Sequence, residues 1–341
     1  MRDILTEVER WRKEDKSIAL ATVIQTWGSA PRRVGSKMAF TLDGDIVGSV
    51  SGGCVENAVI EAGMQSLRTN HPQLLQFGVS DKTAWEVGLA CGGSIDVFVK
   101  PLDEKIFEEI SSVIESEQPA VSVTVTRGPD AVLGRELLVR ENGYFTGSLS
   151  NGLTEQALGL ISGVFSQGTS QRTALKDEIE VFLEPIFPPP TLVVVGGVHI
   201  AVALISLAKT LGYRTTIIDP RKAWGNRERF PEVDQLIQAW PDEAFEQIEI
   251  TRTTAIATLT HDPKLDDPAL RVALPSPAFY VGALGSQTTQ AKRRERLLHQ
   301  GMTESQLERL HGPVGLDIGA QSPEEIALAI MAEVVATRSK L

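Results

Sequence analysis

The chain has 341 residues, about twice the usual domain length, so two domains are expected. A content of 42% hydrophobic and 23% charged residues excludes a disordered chain, and a net charge of −11 argues against nucleic acid or an anionic membrane as partner. Two cysteines, Cys54 and Cys91, exclude a disulfide framework and fit a reducing, cytoplasmic setting.

The first 16 residues carry charges throughout and show no apolar signal-peptide core. Ile4, Leu5, Val8 and Trp11 instead have helical spacing. Strands are predicted at Ile18 to Thr26, Met38 to Leu42 and Ile46 to Val50, the last two forming a hairpin at Asp43-Gly44. A helix follows from about Cys54 to Leu67. Ile95 to Val99 reads as a strand and Glu104 to Glu115 as a helix. Val121 to Thr126, Leu137 to Val139 and Glu178 to Leu183 are further strands, with a helix near Thr154 to Phe165. No repeat of solenoid period is evident. Mixed elements without strict alternation give an α+β domain over residues 1–184. Pro185 and the run Pro188-Pro189-Pro190 mark a linker at 185–190.

Residues 191–341 alternate. Leu192 to Val195 reads as a strand and His199 to Leu211 as a helix, and Thr215 to Ile218 is the next strand. Thr254 to Leu259 and Ala278 to Val281 are later strands, each followed by helical sequence, as is usual for a Rossmann-like parallel sheet. The uncharged stretch Leu192 to Ala208 is broken by Gly196-Gly197 and His199, which favours strand, turn and helix over a membrane span. Ser322-Pro323-Glu324-Glu325 is a capping box for the last helix. The whole chain is therefore α/β in class.

Several loops could carry chemistry. Arg32 and Arg33 lie in a glycine-bearing loop between two strands, suited to a phosphate or carboxylate; a solvated hairpin is the plain alternative. Gly52-Gly53-Cys54 joins a strand to a helix start, where successive N–H groups could cradle an anion and a thiol could act as nucleophile or metal ligand. Cys91 stands beside a second pair, Gly92-Gly93. Neither cysteine fits a four-ligand structural zinc site, although the two could converge on one soft metal.

In the second domain Gly196-Gly197-Val198-His199 occupies the dinucleotide-binding turn, and Asp219 ends the next strand at the position that grips a ribose. Val198, where a glycine is usual, obstructs a pyrophosphate. His261 with Asp262 could be an acid/base pair. Gly285-Ser286 and the loop holding Asp317 lie at strand-to-helix junctions that line a ligand crevice in such sheets. Lys292, Arg293, Arg294 and Arg296 read as a solvated helix face.

Together these motifs resemble the xanthine dehydrogenase accessory factor (XdhC/CoxI) family. The matching segments are Gly28-Ser29-Ala30-Pro31-Arg32, Gly48 through Glu56, Cys91-Gly92-Gly93, Thr260-His261-Asp262, Gly282 through Ser286, and Gly315 through Ala320 with Pro323-Glu324-Glu325. The resemblance runs from about Ile18 to Thr337. It implies a non-catalytic or weakly catalytic carrier that binds the molybdenum cofactor (molybdopterin), protects it during sulfuration by a cysteine desulfurase, and helps insert it into a molybdenum hydroxylase apoenzyme. A homodimer is compatible with that role. Cofactor contacts are then expected from Arg32, Arg33, Gly52, Gly53, Cys54, Glu56, Cys91 and Gly92. In the second domain they are expected from Gly196, Gly197, His199, Asp219, His261, Gly285, Ser286 and Asp317. Cys54 and Cys91 are the candidate metal ligands. The family pattern Gly-Ala-Gly-His appears here as Gly196-Gly197-Val198-His199, which sets nucleotide binding at that turn against Val198. The competing readings are an NAD(P)-dependent oxidoreductase using the Rossmann-like domain, and a ligand-free interaction scaffold.

Overall fold

Ile4, Val8 and Trp11 fall on one helical face, and helix α1 (Arg2–Lys13) buries all three. The computed structural model describes residues 1–30, 32–78, 93–150, 152–176 and 178–339. Contacts divide the chain into two units, Met1–Pro188 and Pro189–Leu341.

In the first unit α1 is followed by β1 (Ile18–Trp27), β2 (Lys37–Thr41), β3 (Ile46–Gly48), α2 (Glu56–Thr69), β4 (Gln73–Phe77) and β5 (Ser94–Pro101). These strands form one antiparallel sheet in the order β3-β2-β1-β5-β4. Strand alternation sends Ala19, Ala21 and Val23 to the face covered by α2, and Ile18 and Leu20 to the face holding α1. Then the pattern starts again. Helix α3 (Glu104–Ser116), β6 (Ala120–Arg127), β7 (Glu136–Arg140), β8 (Phe145–Gly147), α4 (Leu153–Gln167), β9 (Gln171–Lys176) and β10 (Ile179–Ile186) form a second sheet, ordered β8-β7-β6-β10-β9. Strand β10 continues through Pro185 and Ile186, inside the segment expected as linker.

The unit is thus a tandem duplication, with an offset of 99 residues between Gly48 and Gly147. Residues 48–56 read GSVSGGCVE and 147–155 read GSLSNGLTE. A Cβ on Gly48 would sit 2.3 Å from the Lys37 carbonyl, and one on Gly147 2.3 Å from that of Glu136. Between the two sheets Lys37 Nζ lies 2.7 Å from Glu184 Oε2, and Lys100 Nζ 2.6 Å from Glu136 Oε2. Lys37 and Glu136 occupy equivalent positions, at the starts of β2 and β7, so the two buried pairs are charge-swapped copies of each other. A cavity of about 30 Å³ beside them has room for a water.

The second unit contains β11 (Thr191–Val195), α5 (His199–Thr210), β12 (Arg214–Ile218), β13 (Gln235–Ile237), α6 (Pro241–Phe245), β14 (Thr254–Thr258), α7 (Pro263–Ala273), β15 (Tyr280–Ala283), α8 (Gln287–His299), α9 (Glu304–Leu307), β16 (Leu310–His311) and α10 (Pro323–Arg338). All six strands are parallel, in the order β13-β12-β11-β14-β15-β16, with an apolar core on each face. The order reverses between β11 and β14, which puts the ligand crevice of such a sheet at their carboxyl ends. The capping box of Ser322 and Glu325 forms as expected. Among the described residues no helix is long and apolar enough to cross a membrane.

Candidate cofactor-binding site

Antiparallel pairing brings three connections to one end of the first sheet. Trp27, the last residue of β1, pairs with Ser94, the first of β5; Thr22 pairs with Lys37 and Met38 with Gly48. The loop 28–36, the loop 49–55 and the segment leaving β4 for β5 therefore all join the sheet at that end. Gly93 is needed there because a Cβ would come 2.5 Å from the Ser29 carbonyl oxygen. Ala30 and Cys54 both pack against the cluster containing Val50, Val55 and Ile95.

Cys54 is half-buried on loop 49–55 as a free thiol. Arg32 and Arg33 are exposed, and among the described residues their guanidinium groups make no hydrogen bond or ion pair. Gly52 (φ +79°) and Gly53 (φ +117°) take left-handed conformations, and a Cβ on either would meet open space, so their role is conformational. Cys91, Gly92 and Pro31 lie outside the described residues.

The expected cradle of free N–H groups is not what the loop presents. Gly52 N–H donates to Ser49 Oγ (2.9 Å), Gly53 N–H to Glu56 Oε2 (2.9 Å), and Cys54 N–H to Ser51 Oγ (3.0 Å). Glu56 also accepts from Ser49 Oγ (2.8 Å), Ser51 N–H (2.9 Å), the Ser51 hydroxyl and Val55 N–H (3.2 Å). Burial alone would raise the pKa of Glu56. The hydroxyls of Ser51 and Ser49 and the backbone donors outweigh it and hold the carboxyl at about 2. Glu56 is therefore an internal clamp: it and these N–H groups bond within the loop, where the sequence suggested that they face an anionic ligand. Ser49 and Ser51, missed in the sequence, build that clamp. Helix α2 consequently starts at Glu56, two residues later than the pattern suggested.

In the second unit Gly196 and Gly197 follow β11, and His199 opens α5, exposed. A Cβ on Gly196 would lie 2.4 Å from Thr260 Cγ2, and one on Gly197 2.4 Å from the Trp224 carbonyl oxygen. Asp219 is fully buried. Its carboxylate accepts from Gly197 N–H (2.8 Å), from Arg221 N–H (2.9 Å), and from the Arg221 guanidinium at 2.9 and 2.7 Å. Burial pushes its pKa up, but these donors prevail and leave it below the usual value. Asp219 is thus engaged by its own turn, not free for a ribose. Trp224 stands between β12 and β13 within 5.4 Å of Arg221 and 5.1 Å of Arg229, a grouping the sequence did not reveal.

His261 is exposed at φ +60°, just beyond β14, while Asp262 caps α7 by accepting from Lys264 N–H. Among the described residues the two adjacent side chains share no hydrogen bond. Ser286 caps α8, Gly285 precedes it at φ +136°, and Asp317 is exposed on the loop after β16. These positions follow parallel strands and so share the carboxyl-terminal side of the sheet. Arg293 departs from the expected solvated face: it is buried, 3.0 Å from the equally buried Asp266. Among the described residues no group of three or more His, Cys, Asp or Glu is placed to hold a metal ion.

Comparison with known proteins agrees with this layout. The family model described as "XdhC and CoxI family" matches residues 11–78, and the "XdhC Rossmann domain" matches 192–334. A protein of Bacillus subtilis (strain 168), named as a probable subunit of xanthine dehydrogenase, is 29% identical over 98% of each chain. The molybdenum cofactor insertion chaperone PaoD of Escherichia coli (strain K12) is 26% identical over 95% of this chain and 84% of its own length. A crystal structure described as a xanthine dehydrogenase from Bacillus halodurans superposes with a TM-score of 0.75 at 22% identity, covering 98% of this chain and 96% of that one, which supports the fold. The two matched stretches lie in order and together span more than half of the sequence. The chain belongs to the XdhC and CoxI family.

Proposed function

We propose that this protein is a carrier that takes the molybdenum cofactor as cargo, holds it while a cysteine desulfurase supplies sulfur, and delivers it to a xanthine dehydrogenase-type apoenzyme. The observation that carries the reading is the loop end of the first sheet. There a half-buried thiol, Cys54, sits on a braced turn, at the same end as two guanidinium groups without partners among the described residues. Guanidinium groups suit the cofactor's phosphate, and a soft thiolate suits its molybdenum. The names of the relatives point the same way.

The oxidoreductase reading meets a physical obstacle. A nicotinamide dinucleotide needs the turn N–H for its pyrophosphate and a free acid for its ribose. Here Gly197 N–H and Asp219 satisfy each other.

The test is purification from a host that makes the cofactor and from one that does not. Oxidised-pterin fluorescence and molybdenum should appear near one equivalent per chain in the first preparation only. Their absence from both would contradict the carrier reading.

A further inference from the structure

The two copies in the first unit share a nine-residue frame, G-S-(V/L)-S-(G/N)-G-(C/L)-(V/T)-E, yet its helix starts differ. In the second copy α4 begins at Leu153, the counterpart of Cys54, and Leu153 is buried in the core. No side chain caps it; the Thr154 hydroxyl instead ties the helix start to the preceding loop, accepting from Leu149 N–H (3.1 Å) and donating to the Ser150 carbonyl (3.2 Å). Glu155 is exposed and makes no hydrogen bond among the described residues. In the first copy Val55 replaces that threonine and has no hydroxyl to make this tie. Glu56 folds back instead, takes Gly53 N–H and Val55 N–H, and delays the helix by two residues. Cys54 is left on the loop, half-exposed, where its counterpart is a core side chain.

We propose that Glu56 is a positioning residue: its carboxylate holds the loop that presents the Cys54 thiol, and it does not itself contact the cargo. This rests on the carrier reading for its purpose, although not for its geometry. Local donors alone explain the effect. A carboxylate that accepts from several N–H and O–H groups of one turn fixes that turn more firmly than a single hydroxyl does.

The experiment is alkylation of the folded protein with iodoacetamide, followed by peptide mapping of Cys54. Two variants are compared with the parent: Glu56→Gln, and Val55→Thr combined with Glu56→Ala, which installs the second copy's threonine tie. Each should still unfold in a cooperative thermal transition above the assay temperature and lose at least about tenfold in Cys54 alkylation rate. Glu155→Gln should leave the rate unchanged. An unchanged or faster rate in both folded variants, or an equal loss in Glu155→Gln, would overturn the proposal. The measurement uses no cofactor, so failure of the carrier reading would leave its result standing.

Discussion

Two carboxylates that the sequence offered as ligand contacts, Glu56 and Asp219, both turn inward. Glu56 opens α2, and Asp219 reaches the turn between β11 and α5; at both turns the backbone leaves N–H groups without carbonyl partners. A carboxylate within reach satisfies them, and the donors keep it ionised despite burial. For Glu56 the consequence is a pH-dependent stability. Its folded pKa of about 2 lies below the ordinary 4.5, so its contribution is complete above that value and disappears as the pH falls toward 2. Glu56→Gln should cost about 1–2 kcal/mol at neutral pH, since partial exposure screens the charge, and the gap from the parent should close in acid. Denaturant titrations at several pH values check this, and a pH-independent gap would contradict it. At Asp219, NAD(H) titrated up to millimolar concentrations should give no saturable signal. Saturable binding would show that the Asp219–Gly197 contact opens for a ligand.

At the scale of elements, strong periodicity was legible and weak edges were not. The spacing of Ile4, Val8 and Trp11, the apolar run into β11 and the Ser322 cap all give the observed elements. Strand β4 (QLLQF) and strand β9 (QRTALK) escaped because edge strands with polar residues lack a clean alternation. Strand β15 lies two residues beyond its predicted start because Ala278 and Phe279 precede the parallel ladder. The Lys37–Glu184 and Lys100–Glu136 pairs could not be read from sequence, since each joins strands of different copies. Reversing one partner alone, as in Lys37→Glu, should cost about 3–5 kcal/mol by leaving buried charge uncompensated. Combining Lys37→Glu with Glu184→Lys reproduces the polarity of the other pair and should recover most of that loss. Thermal melts of the three proteins measure it, and no recovery in the double variant would contradict the pairing.

Across the whole molecule, the duplication shows where the first copy departs from the second. In the first copy residues 24–34 connect Val23 to Gly35, whereas 126–133 connect the corresponding Val125 to Gly134, and the shorter loop carries Ala131 and Val132 ahead of its glycine instead of Arg32 and Arg33. Residues 78–93 join β4 to β5, whereas 177–178 join β9 to β10. Cys54 has Leu153 as its counterpart. The motif residues were legible singly, but their meeting at one sheet end required the pairing of β1 with both β2 and β5. The most direct measurement is cofactor retention by Cys54→Ala, with Glu155→Ala as the second-copy control, each purified from a cofactor-producing host. Released pterin per chain should fall at least about tenfold in Cys54→Ala and remain at the parental level in the control. Parental retention by Cys54→Ala would show that this thiol does not hold the cargo.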